Sequence, residues 1–351
     1  MKIGIVTISD YYNHGNRLQN YAMQYLLKDW GHEVTTYGMF PRRILGWVLP
    51  FAIHIPFIPV FARMRRFKKF TAEHYSNVQI TFYSKKKLTA LNGQHDAFIA
   101  GSDQVWNPAY MHKPYAYFLQ FCDGFKRIAY APSFGVSKIS KRWQKKFKNA
   151  LQDIPHISVR EEEGAKIIYE VSGRECPVHL DPTLLLTRCE WLEFTSKPRN
   201  MPEGKYLLTY FLMPKSEYKR EAKRIAKEHG LKLVEISAPY GKYYTSTPSE
   251  FLYLMEHAEL ICTNSFHGHA LSIALEKPFI SFESVSHMIS RINTLLNFTG
   301  LEQRNYKKIS PEEYFTLEYG AVNAVLQTKR DECKKYLTTS LLNVTENKNN
   351  D

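Results

Sequence analysis

Cysteine is scarce in this chain, with five residues in 351 (Cys122, Cys176, Cys189, Cys262 and Cys333) and no C-x-x-C pair. That scatter lacks zinc-site spacing and suits a reducing compartment, and the odd count argues weakly against a disulfide framework. Glycine-rich phosphate loops are missing as well: no G-x-G-x-x-G follows the first apolar run, and G-x-x-x-x-G-K-[ST] occurs nowhere. Dinucleotide and P-loop chemistry therefore lack their signals. The start, Met1 to Val6, has no secretory layout of basic, apolar and cleavage regions, so a cytoplasmic location is expected. Acidic residues are in deficit, 34 against 47 Lys and Arg, for a net charge of +13. Such a balance attracts nucleic acid, anionic bilayers or phosphorylated small molecules. No nucleic-acid module is recognisable, and the basic residues gather around an apolar run instead.

What is present is a strand–helix alternation. Ile3 to Ile8 is a short apolar run ending in a polar loop, then Leu18, Tyr21, Ala22, Tyr25 and Leu26 recur at helical spacing up to Gly31, and Val34 to Tyr37 reads as a strand. That is a βαβ unit. Further strands are expected at Ala97–Ala100, Ile128–Ala131, Ile157–Val159 and Val178–Leu180, with a Thr187/Glu190 capping box starting a helix. Pro, Gly and charge at 197–204 mark a linker. The alternation then restarts: strands at Tyr206–Tyr210, Leu231–Ile236, Leu260–Thr263 and Phe279–Phe282, and helices at Ser216–His229, from Pro248, from Gly268 and at Ile289–Leu296. The expected architecture is α/β, two Rossmann-like domains (1–198 and 205–328) facing a cleft, with a frayed polar tail (329–351).

Ile44 to Ala62 breaks the pattern within an apolar, basic insertion (42–70). Pro50, Pro56 and Pro59 argue against a spanning helix. It reads either as a core-covering segment or as an interfacial patch whose basic flanks meet anionic lipid, which suits a lipid-linked acceptor.

Ligands in open parallel sheets sit beyond the strands' carboxyl ends. Those ends carry Asn16, Asp103, Ser133, Arg160, Asp181, Asn264, His267 and His269. Gly15-Asn16 opens a helix, as a cap or as an anion or sugar site. In Gly101-Ser102-Asp103-Gln104-Val105-Trp106-Asn107, the polar groups can hold sugar hydroxyls and the indole can stack on a pyranose; the plain alternative is a helix cap and a core tryptophan. Arg160 is a bidentate clamp for carboxylate or phosphate, or an ion-pair partner of Glu161–Glu163, which read as solvated residues of a helix's first turn. Thr263-Asn264-Ser265-Phe266-His267-Gly268-His269 sets two histidines beside a helix N-terminus, suited to anions and proton transfer. No acidic or cysteine ligand lies nearby, so no metal is expected.

These segments, with Ser158–Glu161, Leu180–Thr183, Pro248, Glu250-Phe251, Lys277–Phe279 and Ser290–Ile292, resemble the polysaccharide pyruvyl transferase family over about residues 1–305. The resemblance implies a GT-B-like domain pair and transfer of pyruvate from phosphoenolpyruvate to a sugar as a ketal, with no cofactor beyond that co-substrate. It places donor binding on Arg160. The family's Arg and His, two residues apart, fall on His267 and His269, so His267 stands where an arginine is usual, with Arg291 available to compensate. On that basis His269 is the expected general acid, and Arg160 and His267 neutralise the donor. Asn16, Ser102, Asp103, Trp106, Asn107 and Ser133 would position a polyprenyl-linked oligosaccharide acceptor, while Asn264, Ser265 and Gly268 line the donor side. A peripheral position on the inner face of the plasma membrane would follow. The competing expectations are a GT-B glycosyltransferase using a nucleotide-sugar, and a non-catalytic sugar- or membrane-binding relative.

Overall fold

The structure is a computed structural model that describes residues 1–8, 10–39, 59–81, 84–109, 111, 114–213, 215–283 and 289–350. The apolar run is described only from Pro59 onward; the rest of it lies outside these residues.

Two parallel sheets organise the chain. The first half runs β1 (Lys2–Thr7), α1 (His14–Asp29), β2 (Glu33–Met39), α2 (Pro59–His74), β3 (Asn77–Thr81), α3 (Lys85–Thr89), β4 (Ala97–Ala100), α4 (Pro114–Tyr117), β5 (Arg127–Ala129), α5 (Lys141–Gln152), β6 (His156–Ile157), α6 (Glu162–Ser172) and α7 (Arg188–Phe194). The second runs β7 (Tyr206–Tyr210), α8 (Ser216–Glu228), β8 (Lys232–Glu235), α9 (Pro248–Glu256), β9 (Leu260–Thr263), α10 (Phe266–Ala274), β10 (Phe279–Ser281), α11 (Ile289–Thr299) and α12 (Gly320–Asn350). The sheet orders are β3-β2-β1-β4-β5-β6 and β10-β9-β7-β8. Each reverses direction beside its first strand, at β1/β4 and β7/β9. Crevices for ligands open at such switch points.

Central strands are buried on both faces, as in Phe98, Ile99, Leu207 and Ile261, because helices cover both sides of each sheet. The Thr187/Glu190 capping box forms as read, and Thr247/Glu250 forms a second at the start of α9. Two expectations fail. Val178 makes only an isolated bridge to Val159, not a strand. The polar tail is not frayed: residues 329–350 belong to the 31-residue α12. Cys333, Leu337, Leu341 and Val344 recur at helical spacing and are buried in a core cluster that draws on both domains, with Cys333 accepting the Leu180 N–H of the first. The helix starts on the second domain, where Asn323 bonds Glu276, and ends on the first, where Lys348 pairs with Asp96 at 2.7 Å. It straps the two together.

The insertion's helix α2 is a second tie. Arg63 donates to the Tyr244 carbonyl at 3.0 Å and to His14 Nδ1 at 2.8 Å, and Arg66 grips both Glu250 oxygens at 2.7 and 2.8 Å. These two arginines of the basic flank are committed to protein, not held free for lipid. Among the described residues no helix is long and apolar enough to cross a membrane.

Candidate active site

The site is built from the loops after β1, β4, β6 and β9. After β1, Asp10 accepts the N–H groups of Tyr12 and Asn13 at 2.9 and 2.8 Å, and the Asn13 side chain caps α1. Asn16 receives the Asp10 N–H at 3.2 Å and donates toward Asp103 at 3.4 Å. A Cβ on Gly15 would fall 2.3 Å from the His267 ring, so only glycine lets the second domain's histidine press against the first domain's helix. After β4, Asp103 adopts a left-handed φ of 71°, a conformation Asp tolerates better than most residues, and bridges to Pro132.

Arg160, 3% exposed, leaves β6 and meets Asp181 at 2.5 Å, Ser102 at 3.4 Å and Asp103 at 3.6 Å. Its Nε has no partner, and the terminal nitrogen facing Asp103 makes no hydrogen bond. Burial works against its charge, but Asp181 and Asp103 more than offset this and hold the guanidinium firmly protonated. Asp181 also accepts Ser102 at 2.8 Å, and Thr183 twice, at 3.0 and 2.7 Å. Burial would raise its carboxyl, yet His267 and Arg160 bring it far below the usual carboxylate range.

From the second domain, His267 points its Nε2 at Asp181, 3.7 Å away, with no closer partner. The Phe266 ring lies 4.4 Å from the Arg160 guanidinium and 5.8 Å from that of Arg291. Arg291 is buried with an unpartnered Nε. Burial first, then the neighbouring Arg160, lowers its pKa to about 10. Two buried guanidiniums with spare N–H donors therefore converge beside an imidazole and can bind an oxyanion-rich ligand.

The structure thus brings together Asn16, Ser102, Asp103, Arg160, His267 and Arg291. It uses the other expected residues differently. His269 is fully buried, with Nδ1 on the Ser265 carbonyl at 2.7 Å and Nε2 on Ser281 at 2.8 Å, and burial lowers its pKa to about 4. A neutral ring with both nitrogens taken has no proton to offer a ligand. Trp106 is core, donating to the Tyr117 carbonyl at 3.2 Å, and cannot stack on a sugar. Asn107 closes a turn through Gln104 and Ala109. Asn264 spends its amide on both backbone groups of Leu212, locking the β7 and β9 loops together. Ser265 caps α10, and Gly268 is needed because a Cβ would sit 2.1 Å from Thr263 Oγ1. Ser133 donates to Glu161, which is buried and also gathers the Phe134 and Gly135 N–H groups, so it is no solvated residue of a first helical turn.

Sequence reasoning missed two residues. Asp181 was seen only as a strand-end carboxylate, and nothing local distinguishes an anchor for Arg160 from a turn former. Asp10 reads in sequence as one residue of a polar loop, yet burial, partly countered by two N–H bonds and Arg17, raises its carboxyl to about 6. Among the described residues no group of three or more His, Cys, Asp or Glu could hold a metal.

Among solved structures, the chain resembles a Listeria monocytogenes protein assigned as a UDP-N-acetylglucosamine 2-epimerase, with TM-score 0.50 and 10% identity over 95% of this chain and 90% of that one. It also aligns with MurG of Acinetobacter baumannii, at TM-score 0.43 and 10% identity over 99% and 95%. At 10% identity the Listeria likeness speaks to the fold alone, which is the pair of Rossmann-like domains described above. No curated protein matches the chain. The sequence model of the polysaccharide pyruvyl transferase family matches residues 13–287, a span that holds Asn16, Asp103, Arg160, Asp181 and His267. The chain belongs to the polysaccharide pyruvyl transferase family and is a transferase.

Proposed function

We propose that this enzyme transfers the pyruvate unit of phosphoenolpyruvate to two hydroxyls of a sugar in a polyprenyl-linked polysaccharide precursor, forming a ketal and releasing phosphate. The observation that carries the reading is the pair of buried guanidiniums, Arg160 and Arg291, with unpartnered N–H groups beside His267. Phosphoenolpyruvate supplies the carboxylate and phosphate such groups bind. Arg160 takes the carboxylate and Arg291 the phosphate.

His267, not His269, then gives its proton to the methylene carbon, which becomes the methyl group. One sugar hydroxyl adds to the neighbouring carbon, phosphate leaves with the electrons of its C–O bond, and the second hydroxyl closes the ketal. Of the two hydroxyl protons released, one restores His267 and the other departs on hydrogen phosphate. The membrane-side acceptor draws support from the basic, apolar sequence of the insertion; its location at the inner face of the plasma membrane belongs to the same proposal.

The test is calorimetric titration with phosphoenolpyruvate alone, alongside phosphate release with sugar acceptors. Arg160→Lys keeps the charge but loses the fork and should weaken donor binding by about tenfold or more. Wild-type affinity in that variant, or no binding by the wild type, would remove the donor from this site.

A further inference from the structure

A cleft of about 890 Å³ is lined by Arg160, by α6 of the first domain and α11 of the second, and by Lys329 and Glu332 of α12. Phosphoenolpyruvate, three carbons and a phosphate, needs only a small part of it; ligand sites of this size take larger molecules. Four of its lining residues hold buried polar atoms without a partner: Arg160, His179 Nδ1, one oxygen of Glu163 and the Ser290 hydroxyl. His179 is 6% exposed, its ring held against Tyr130 and Tyr336, and burial lowers its pKa to about 4, so it is neutral. Buried polar atoms are ordinarily satisfied, and here both sides of one cleft leave them open.

The charges lining it cancel among the described residues. Arg160, Lys166 and Lys329 face Glu162, Glu163 and Glu332. A nucleotide diphosphate or nucleic acid would find as many carboxylates as cations there. Carboxylates, amides (Asn293, Asn297) and a neutral imidazole instead suit hydroxyl groups, and Phe298 adds an aromatic side chain among them.

We infer that this α6–α11 cleft is the acceptor site, receiving the uncharged, hydroxyl-rich sugar rings of the glycan and delivering the reacting hydroxyls to Arg160's end. The assignment rests on the pyruvyl-transfer reading and differs from the sequence expectation, which put the acceptor on Asn16, Trp106 and their neighbours. His179, Glu163 and Ser290 make the hydrogen bonds, displacing water.

The test uses p-nitrophenyl glycosides of neutral hexoses and disaccharides as probes, with His179→Phe, which keeps an aromatic ring against Tyr130 and Tyr336, and Glu163→Gln. Saturation-transfer NMR should show glycoside binding to the wild type and its loss, or at least a fivefold weakening, in both variants. Phosphoenolpyruvate affinity should stay within twofold, and circular dichroism should show both variants folded. For any glycoside that supports phosphate release, the acceptor KM should rise at least fivefold while the donor KM holds. Glycoside binding unaffected by both substitutions, or absent in the wild type, overturns the acceptor site. Glycoside binding lost as expected in a protein that never binds phosphoenolpyruvate keeps a sugar cleft and sinks the donor reading instead.

Discussion

Burial alone would strip Arg160 of solvent without replacement; Asp181 and Asp103 keep it charged and leave its Nε to a ligand. His267 and His269 share a helical turn, yet the first faces Asp181 and the second is bonded at both nitrogens. His269→Ala removes a buried ring bonded at both nitrogens, so it should cost about 2–4 kcal/mol in denaturant unfolding. His267→Ala removes a buried ring packed on Gly15 and facing Asp181, so it should cost some stability, but its main effect should be on turnover, cut by about two to four orders of magnitude, the usual scale of acid catalysis. A His267→Ala enzyme with near-normal turnover would place the proton donor elsewhere. Asp10 gives a pH signature of its own. Its folded-state pKa, about 6, lies above that of an unfolded aspartate, so the folded state loses stability as pH rises from about 4 to 6 and carries a constant penalty above that. Asp10→Asn should therefore be more stable than wild type at pH 7, by roughly 1–2 kcal/mol for this half-buried group, with the gap closing below pH 4. Thermal melts across pH 4–8 measure this, and a gap that widens toward acid would contradict it.

At the scale of elements, α2 shows how a charged helix can serve as an interdomain clamp. Arg63 and Arg66 lie on the face turned to the second domain, and Arg63 sits over His14, whose burial and arginine neighbour keep it neutral. Arg63→Met should cost about 2–3 kcal/mol, because the Tyr244 carbonyl and His14 lose a buried, charged donor. Arg66→Ala should cost only about 1 kcal/mol, since Arg66 is 41% exposed. Chemical denaturation of both variants checks the order, and equal losses would mean the clamp is not graded by burial. Local periodicity made most strands and several helices legible, along with the Thr187/Glu190 cap. It failed where the same chemistry serves two ends. Trp106 after a strand reads as a sugar platform until its N–H is found on the Tyr117 carbonyl. The apolar stripe Cys333, Leu337, Leu341, Val344 is diluted in a polar background, so the tail reads as frayed until its burial is seen.

Across the whole molecule, α12 should be indispensable. Ending the chain after Lys329 would expose the core surface that Leu337, Leu341 and Val344 cover, and would remove the Lys348–Asp96 pair. Such a truncation should be recovered as aggregate, and a soluble, cooperatively melting product in size-exclusion chromatography would refute the strap.

The chain's order of strands and helices determined the two-domain α/β fold, because period-2 and period-3.6 burial are local properties of a sequence. The same local reading reached Arg160, Asp103, Asn16 and His267, since strand ends in parallel sheets collect polar groups. What each of those groups does was decided only when loops far apart in the chain met. Gly15 packs on His267, Asp181 holds Arg160, Ser281 takes the last free nitrogen of His269, and α6 faces α11 across the cleft. Hydrogen-bond satisfaction and desolvation depend on neighbours in space, and those were settled by the packing of one domain against the other.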